Sequence, residues 1–376
     1  MAAYYPEDRA AEYPPERVPA ALLTHVIYSF LRVQETVDAQ TGAARYVGAF
    51  NDPVAARANL NALRALRREN PHLKVLVSIG GWGEGSTRFS NATASDESCA
   101  EFVASMVKIL DEFELDGLDL DWEYPVHGGP DSLPPPDGCA YRRPEDRERF
   151  TRLLRECRRQ LGPSRQLTAA LPAPQDVLGL YDLHAAAGLL DYAMLMTYDL
   201  HNGWETRGPT NFHTALRAVP GDPSPTALAR DTLNIEAATR YCLGFFKPSQ
   251  LVLGMAFYGR GWRGVPRGDQ QGLFQPAEGL CEHGGTPNYA TIAAEYEPNF
   301  EKHVHDTAQC AWVYGREDPI TALGTFVGYD DPATLERKAA FAAQMGLGGV
   351  MFWELTGDAP GAHPLLHGLR RGLGLE

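Results

Sequence analysis

The chain has 376 residues, of which 44% are hydrophobic and 22% are charged, and its 34 basic and 48 acidic residues leave a net charge of −14. This composition suits a folded protein with a large core and argues against a disordered chain. The negative charge argues against nucleic acid or an anionic membrane as a partner, because both attract basic surfaces. No apolar run reaches the roughly 18 residues of a membrane span.

The N-terminus shows no secretion signal, because Glu7 and Asp8 stand where a signal peptide would have its apolar stretch. The localisation of the protein is therefore left open by the sequence.

Short apolar runs alternate with helical patterns along the chain. The predicted strands are residues 2–5, 24–31, 73–79, 115–122, 167–171, 192–197, 251–257 and 348–353. The predicted helices are residues 55–70, 97–113, 144–161, 231–245 and 332–345. Pro144 and Pro332 suit the first turn of a helix, and Asp96 is the expected N-cap of its helix. Nearly continuous apolar strands are typical of parallel sheets that are buried on both faces.

Eight such strands, each followed by a helix or by enough chain for one, predict a (β/α)8 TIM barrel. Residues 262–331 are too long for a loop and have their own aromatic and β-branched residues. We predict that they form a small α+β insertion between strand 7 and helix 7, so that residues 1–261 and 332–376 form the catalytic barrel. The Gly- and Pro-rich residues 126–141 are predicted to be a long loop after the fourth strand.

The six cysteines form no CxxC pair, which argues against a zinc site. Cys99, Cys157 and Cys242 fall in helical patterns and are expected to be buried thiols. Cys281 and Cys310 fall in the predicted insertion. Whether they form a disulfide is left open, because sequence alone cannot pair cysteines.

The segment DGLDLDWE at 116–123 is the most informative in the chain. Side chains alternate between the two faces of a strand. One face therefore carries Asp119, Asp121 and Glu123, and the other carries Leu118, Leu120 and Trp122. Three carboxyl groups at steps of about 7 Å cannot all ionise in a buried environment without a large cost in free energy. At least one proton is therefore expected to be shared among them.

This acidic face has three interpretations. An exposed acidic edge is disfavoured, because the alternating apolar residues require burial of the strand. A Mg²⁺ or Ca²⁺ site is possible in principle, but it gains nothing from the tyrosines and tryptophans at the neighbouring strand ends. Acid catalysis on a sugar is favoured, because aromatic rings suit the apolar faces of sugars and an acid with a raised pKa suits a glycosidic leaving group.

Further motifs follow in order: VSIGGW at 77–82, LDGLDLDWEYP at 115–125, LMTYDLHNGWE at 195–205, GMAFYGRGW at 254–262 and GGVMFWE at 348–354. With these motifs the chain resembles the chitinases of glycoside hydrolase family 18, in the subgroup that has an α+β insertion. The resemblance covers nearly the whole chain.

The resemblance implies that Glu123 is the general acid and that the protein supplies no nucleophile. Instead the 2-acetamido carbonyl of the substrate attacks the anomeric carbon to give an oxazolinium ion, with overall retention. Asp121 would orient the acetamido N–H and share a proton with Glu123. Asp119 would lie behind Asp121 and tune the position of that proton.

The resemblance also assigns residues to substrate contacts. Tyr198 would hold the acetamido carbonyl, Asp199 would contact the distorted sugar, and Trp353 would lie beneath that sugar. Ser78 is expected to hydrogen-bond Asp119, and the glycines after it are expected to let the backbone approach the acids. The remaining predicted contacts are Tyr4, Gly80, Gly81, Trp82, Tyr124, Met196, Trp204, Tyr258 and Arg260.

The implied activity is hydrolysis of chitin or chitooligosaccharides, the β-1,4-linked polymers and oligomers of N-acetylglucosamine, by a monomer without metal or cofactor. The insertion is typical of processive or exo-acting members. Two alternatives are kept: a chitinase-like lectin that binds without turnover, and an enzyme for another N-acetylhexosamine glycan such as an N-glycan core.

Overall fold

A computed structural model describes residues 1–38, 42–129, 142–315 and 318–376. Its strands, numbered along the chain, are β1 Ala2–Pro6, β2 His25–Val37, β3 Ala44–Ala49, β4 Lys74–Gly80, β5 Gly117–Asp121, β6 Gln166–Pro172, β7 Tyr192–Met196, β8 Leu251–Ala256, β9 Arg260–Pro266, β10 Gly279–Leu280, β11 Glu301–His305, β12 Cys310–Gly315, β13 Leu323–Tyr329 and β14 Gly349–Trp353.

The helices are likewise numbered along the chain. They are α1 Pro53–Glu69, α2 Phe89–Ala92, α3 Asp96–Phe113, α4 Asp146–Leu161, α5 Gln175–Leu178, α6 Leu183–Leu189, α7 Ala227–Thr232, α8 Ile235–Cys242, α9 Tyr289–Thr291, α10 Pro332–Gln344 and α11 Pro364–Gly372.

The order of parallel strands and helices is that of a (β/α)8 barrel, as the sequence predicts. All eight predicted strands overlap an observed strand. The sequence analysis missed β3, which pairs antiparallel with the outer half of β2. The residues of β3 are exposed or half-buried and lack the continuous apolar run that marks the other strands.

Helix starts are set by side-chain caps. Asp52 accepts hydrogen bonds of 3.0 Å from the N–H groups of Val54 and Ala55, and Pro53 occupies the first position of α1. Leu60 and Leu63 then fall on the buried face of the helix. Pro332 also begins its helix, as predicted.

Three predicted helix boundaries are wrong. The N-cap of α3 is Ser95, whose hydroxyl accepts from the Ser98 N–H, and Asp96 is the first helical residue. Pro144 precedes the first residue of α4 by two positions. The predicted helix 231–245 is two helices, because Asn234 is extended and caps α8 by accepting from the Ala237 N–H.

Packing divides the chain into two compact units. The first comprises Met1–Pro172, Asp176–Met194 and Phe245–Leu251. Within it β4 pairs in parallel with β5, and β5 with β6. The register places Ser78 and Thr168 on either side of Asp119, and this pairing positions the acids described below.

The second unit comprises Ala173–Gln175, Leu195–Gly244 and Val252–Glu376. It contains the parallel pair of β8 and β14 and a five-stranded antiparallel sheet in the order β10-β9-β13-β12-β11. The buried rings of Trp262, Tyr314 and Phe326 lie in the core of this sheet. The division of the chain into a barrel and an insertion at 262–331 stays a prediction.

The cysteines are thiols where the structure describes them. Cys99, Cys157 and Cys242 are buried, as predicted, and Cys281 and Cys310 are buried and not paired. Cys139 and nearly all of the predicted loop at 126–141 lie outside the described residues. In the part of the chain that the structure describes, no helix is long and apolar enough to cross a membrane.

Candidate active site

The three acids of β5 and the residues after it are buried in the first unit. Asp119 is 0%, Asp121 5% and Glu123 9% exposed. On the other face of the strand, Trp122 stacks on Phe89 with ring centroids 5.2 Å apart. The alternation read from the sequence therefore places apolar residues on one side of the strand and carboxyl groups on the other.

Three hydroxyl groups surround the Asp119 carboxyl. Tyr4 and Ser78 donate to Oδ2 at 3.0 and 2.7 Å, and Thr168 donates to Oδ1 at 2.5 Å. Burial raises the pKa of Asp119, and the three hydrogen bonds oppose that rise. The hydrogen bond from Ser78 is the one the sequence analysis expected.

Asp121 lies in a different environment, because its Oδ1 is buried and accepts no hydrogen bond from any described residue. Burial, followed by the negative charges of Glu123 and Asp119, raises its pKa well above the ordinary value of 3.8. Asp121 therefore retains its proton when ordinary carboxylic acids have lost theirs. This is the condition for sharing a proton with the neighbouring Glu123.

The backbone beside the acids is shaped by a glycine pair. Gly80 and Gly81 have φ values of 116° and 87°, and the Gly81 N–H donates to the Asp121 carbonyl at 2.8 Å. A Cβ on Gly80 would lie 2.1 Å from the same carbonyl oxygen. Only glycine fits this close approach.

Ser86 is a residue that the sequence analysis missed. Its Oγ accepts a 2.8 Å hydrogen bond from the Glu123 N–H and donates to the Gly81 carbonyl at 2.9 Å. It thereby fixes the backbone at the proposed general acid. The small, Gly-rich run that contains Ser86 gave no periodic signal, so only the folded position of the serine reveals this contact.

Tyr124 and Tyr181 lie near the acids in the same unit. Burial and then the charge of Glu123 raise the pKa of both phenols well above the ordinary value, and Tyr124 also hydrogen-bonds Glu123. The Tyr124 ring lies 6.3 Å from that of Trp82, which is 49% exposed. Tyr181 was missed by the sequence analysis; its buried hydroxyl has no hydrogen-bond partner among the described residues.

A second polar cluster, in the second unit, is centred on Asp199. Arg260 donates through Nε to Oδ1 at 2.8 Å, its Nη2 lies 2.6 Å from Oδ2, and the Tyr258 hydroxyl donates to Oδ1 at 2.8 Å. Burial raises the pKa of Asp199, but the adjacent His213 and the charge and hydrogen bonds of Arg260 outweigh it and hold the pKa well below its usual range. Asp199 is therefore a carboxylate throughout the neutral and mildly acidic range.

The sequence profile of the family described as Glycosyl hydrolases family 18 matches residues 1–358 of the chain. The chain belongs to this family. The resemblance predicted from the motifs is thereby confirmed, whereas membership of the subgroup with an insertion stays a prediction.

Individual family 18 proteins are similar to the chain over much of its length. Chitinase A1 of Niallia circulans is 33% identical over 327 residues, which are 82% of this chain and 44% of that protein. The chain therefore spans less than half the length of this relative.

Two solved structures share the fold. A family 18 N-acetylglucosaminidase from Paenibacillus barengoltzii is 29% identical, with a TM-score of 0.78 and 99% coverage of both chains. The Group IV chitinase of Ostrinia furnacalis, solved in complex with allosamidin, is 25% identical, with a TM-score of 0.82 and coverage of 99% of this chain and 98% of that one.

The other residues predicted to contact substrate differ in burial and in their neighbours. The Tyr198 ring is 6.2 Å from that of Tyr258 and meets it edge-on. Met196 is buried, Trp353 is half-buried and Trp204 is 67% exposed. Tyr4, predicted to bind substrate, is itself buried and bonded to Asp119.

No group of three or more His, Cys, Asp or Glu side chains that could hold a metal ion occurs within residues 1–38, 42–129, 142–315 and 318–376. Three hydroxyl groups surround the carboxyl of Asp119, and Asp121 lies beside the charges of Asp119 and Glu123. Such an arrangement is suited to holding and moving a proton.

Proposed function

We propose that the protein is a retaining chitinase that hydrolyses β-1,4-linked polymers and oligomers of N-acetylglucosamine. The observation that carries the proposal is the buried acid Asp121, with a raised pKa and an unpaired Oδ1, two positions before Glu123. An acid of this kind can hold a proton at a pH at which ordinary carboxylic acids have lost theirs, and can exchange it with its neighbour. The chitinases of Niallia circulans and Ostrinia furnacalis support the choice of substrate.

The reaction begins when Glu123 donates its proton to the glycosidic oxygen. The bond from that oxygen to the anomeric carbon breaks, and the acetamido carbonyl oxygen of the same sugar bonds to the anomeric carbon. The tethered carbonyl replaces a separate nucleophile, which removes the entropic cost of a bimolecular attack. Asp121 accepts the acetamido N–H, so that the positive charge of the oxazolinium ion is stabilised as it forms.

The second step restores the acid. The Glu123 carboxylate takes a proton from water, the water oxygen bonds to the anomeric carbon, and the bond to the acetamido oxygen breaks. Two displacements at one carbon give net retention. Asp119 lies behind Asp121 and tunes the position of the proton that Asp121 shares with Glu123. Three hydroxyl groups hold the Asp119 carboxyl in place for this role.

The family motifs assign three further residues to the sugar in this proposal. Tyr198 holds the acetamido carbonyl for attack, Asp199 contacts the distorted sugar, and Trp353 stacks beneath it. Asp199 is suited to its role because Arg260 and Tyr258 keep its carboxylate charged and oriented.

The test is incubation of the protein with the hexamer of N-acetylglucosamine, with product sizes and anomers followed by proton NMR. Early β-anomers of chitooligosaccharides are expected. Early α-anomers would contradict retention, and binding without cleavage would indicate a lectin. Cleavage of a high-mannose glycopeptide in place of the hexamer would indicate a different glycan as the substrate.

Removal of single N-acetylglucosamine units is the second candidate. It is favoured by the similarity to the Paenibacillus barengoltzii N-acetylglucosaminidase, which the chain matches over 99% of both lengths. In that case the monosaccharide would be the first and only small product of the hexamer, whereas a chitinase would release dimers or longer oligomers first.

A further inference from the structure

His213 is a buried histidine of the second unit that none of the motifs includes. It is 1% exposed, and its ring packs on that of Tyr258 with centroids 5.2 Å apart at an angle of 43°. Its Nδ1 lies 3.6 Å from Asp199 Oδ1. Neither ring nitrogen has a partner at hydrogen-bond distance among the described residues. A buried polar ring of this kind requires an explanation, because leaving such a group unpaired costs stability.

The Asp199 carboxylate, which His213 faces, is also hydrogen-bonded by two other side chains. Asp199 Oδ1 already accepts hydrogen bonds from the Tyr258 hydroxyl and from Arg260 Nε. The backbone of Asp199 is left-handed, with φ of 57°, which places this residue in a conformation that few side chains other than Asp and Asn adopt. The orientation of its carboxylate therefore depends on the three side chains around it, and His213 is the only one of these three that changes charge in mildly acidic solution.

The fixed charges near His213 cancel in pairs. Arg260 neutralises Asp199, and Lys338 Nζ lies 2.5 Å from Asp330 Oδ1, with both side chains fully buried. Lys338 also donates to the carbonyl of Thr214, the residue after His213, at 2.6 Å. Burial lowers the pKa of His213 below 6.5, Asp199 and Asp330 oppose this effect, and Arg260 adds to it. His213 is therefore neutral at pH 7.

We propose that His213 is a positioning residue for Asp199 and that its protonation turns the carboxylate away from its working orientation. In the neutral form, His213 Nδ1 lies 3.6 Å from Asp199 Oδ1. At this distance Tyr258 and Arg260 remain the main hydrogen-bond donors to that oxygen. The protonated ring is a charged donor, which draws Oδ1 to a normal hydrogen-bond length. It then competes with Tyr258 and with the sugar for the same oxygen. This inference rests on the proposed function only in that Asp199 contacts the sugar.

The first test does not depend on catalysis. The imidazole of His213 is titrated by NMR in the wild type and in Asp199→Asn, and its signal among the 11 histidines is assigned by its loss in His213→Asn. Because the Asp199 carboxylate raises the pKa of His213, we expect a lower pKa in Asp199→Asn than in the wild type. Equal pKa values in the two proteins would overturn the proposed coupling.

The second test is the pH dependence of hexamer cleavage between about pH 4 and 8. Asparagine keeps a polar group near the position of Nδ1 but takes up no proton, so His213→Asn is expected to move the acid limb of kcat/KM to lower pH. His213→Phe keeps the ring without a donor, and we expect a fall in kcat of about tenfold at every pH, in the range of a lost positioning contact. The exposed His72→Asn is the control that should change neither quantity.

The outcomes separate this inference from the proposed function. The protein could show a lower His213 pKa in Asp199→Asn and yet cleave no chitooligosaccharide. That result would refute the chitinase activity but support the link from His213 to Asp199. Cleavage with the same acid limb in the wild type and in His213→Asn would support the chitinase and overturn the positioning role. A uniform loss of activity at all pH values in His213→Asn, with a lower melting temperature, would show a purely structural histidine and would also overturn it.

Discussion

The Tyr4 hydroxyl lies 3.0 Å from Asp119 Oδ2 and donates a hydrogen bond to it, although 115 positions separate the two residues along the chain. Tyr4 was predicted to contact substrate. Its ring is 2% exposed, and its hydroxyl contributes to the set of donors that opposes the rise in the pKa of Asp119. The contact links the first strand of the chain to the carboxyl group behind the proposed proton pair.

We therefore expect Tyr4→Phe to lower kcat for the hexamer by about tenfold or more, since the loss of one hydrogen bond to a charged group is worth about 1.5 kcal/mol or more. KM is expected to change little, because Asp119 does not itself reach the sugar in the proposed mechanism. Tyr5→Phe is the matched control, since Tyr5 donates to the Tyr13 carbonyl at 2.5 Å. It should lower the free energy of unfolding and leave kcat unchanged; an equal loss of kcat in both variants would contradict the prediction.

The general acid is tested by Glu123→Gln. The amide keeps the shape of the side chain but cannot donate the proton, so turnover is expected to fall by at least about a hundredfold. The dissociation constant for the hexamer, measured by calorimetry, should change much less. Glu97→Gln alters an exposed residue of α3 and serves as the control. Undiminished cleavage by Glu123→Gln would remove Glu123 from the mechanism.

The proton held by Asp121 predicts a pH-dependent stability. The folded-state pKa is raised well above the value of 3.8 for an ordinary aspartic acid. The contribution of Asp121 to stability is thus fully present below that value and is lost as the pH rises, because the unfolded chain gives up its proton first. Each tenfold change in proton affinity corresponds to about 1.4 kcal/mol.

Asp121→Asn removes this pH dependence. We expect the melting temperature of the variant to rise relative to the wild type between pH 4 and pH 7, while its turnover falls. Asp8→Asn, at an exposed position, should follow the wild type at both pH values. A melting-temperature difference that stays constant over this range would argue against a raised pKa of Asp121.

The buried pair of Lys338 and Asp330 predicts a strong coupling between two substitutions. Lys338→Met leaves the Asp330 carboxylate buried without its cation, which is expected to lower the free energy of unfolding by about 3–5 kcal/mol. Lys338→Met combined with Asp330→Leu removes both charges and should recover most of that loss. The measurement is urea unfolding of the two single variants and the double variant; additive effects would indicate that the charges do not depend on each other.

A metal-free reaction predicts that hexamer cleavage is insensitive to a chelator. Proton transfer by Glu123 and attack by the acetamido group require no Lewis acid in the proposed mechanism. Activity after dialysis against EDTA is expected to equal that of the untreated protein. Loss of activity that a divalent ion restores would revive the interpretation of the β5 carboxylates as a cation site.

The sequence by itself determined the parallel strands and the acidic face of β5. A strand period of two allows only one assignment for DGLDLDWE, because the leucines and the tryptophan require burial on one side. Ser78 was linked to Asp119 from the family motif, and the glycine pair was expected to approach the acids. Both expectations agree with the distances in the structure.

Tertiary structure alone decided the other groups around each carboxyl. Thr168 reaches Asp119 through the register of β6, Ser86 holds the Glu123 N–H from the Gly-rich segment, and His213 faces Asp199 from an irregular segment without periodicity. No local pattern predicts these contacts, because each joins residues that are between 14 and 49 positions apart. The physical reason is that periodicity reports which face a side chain takes, whereas the pKa of a buried acid depends on the few donors and charges that folding places within hydrogen-bond reach.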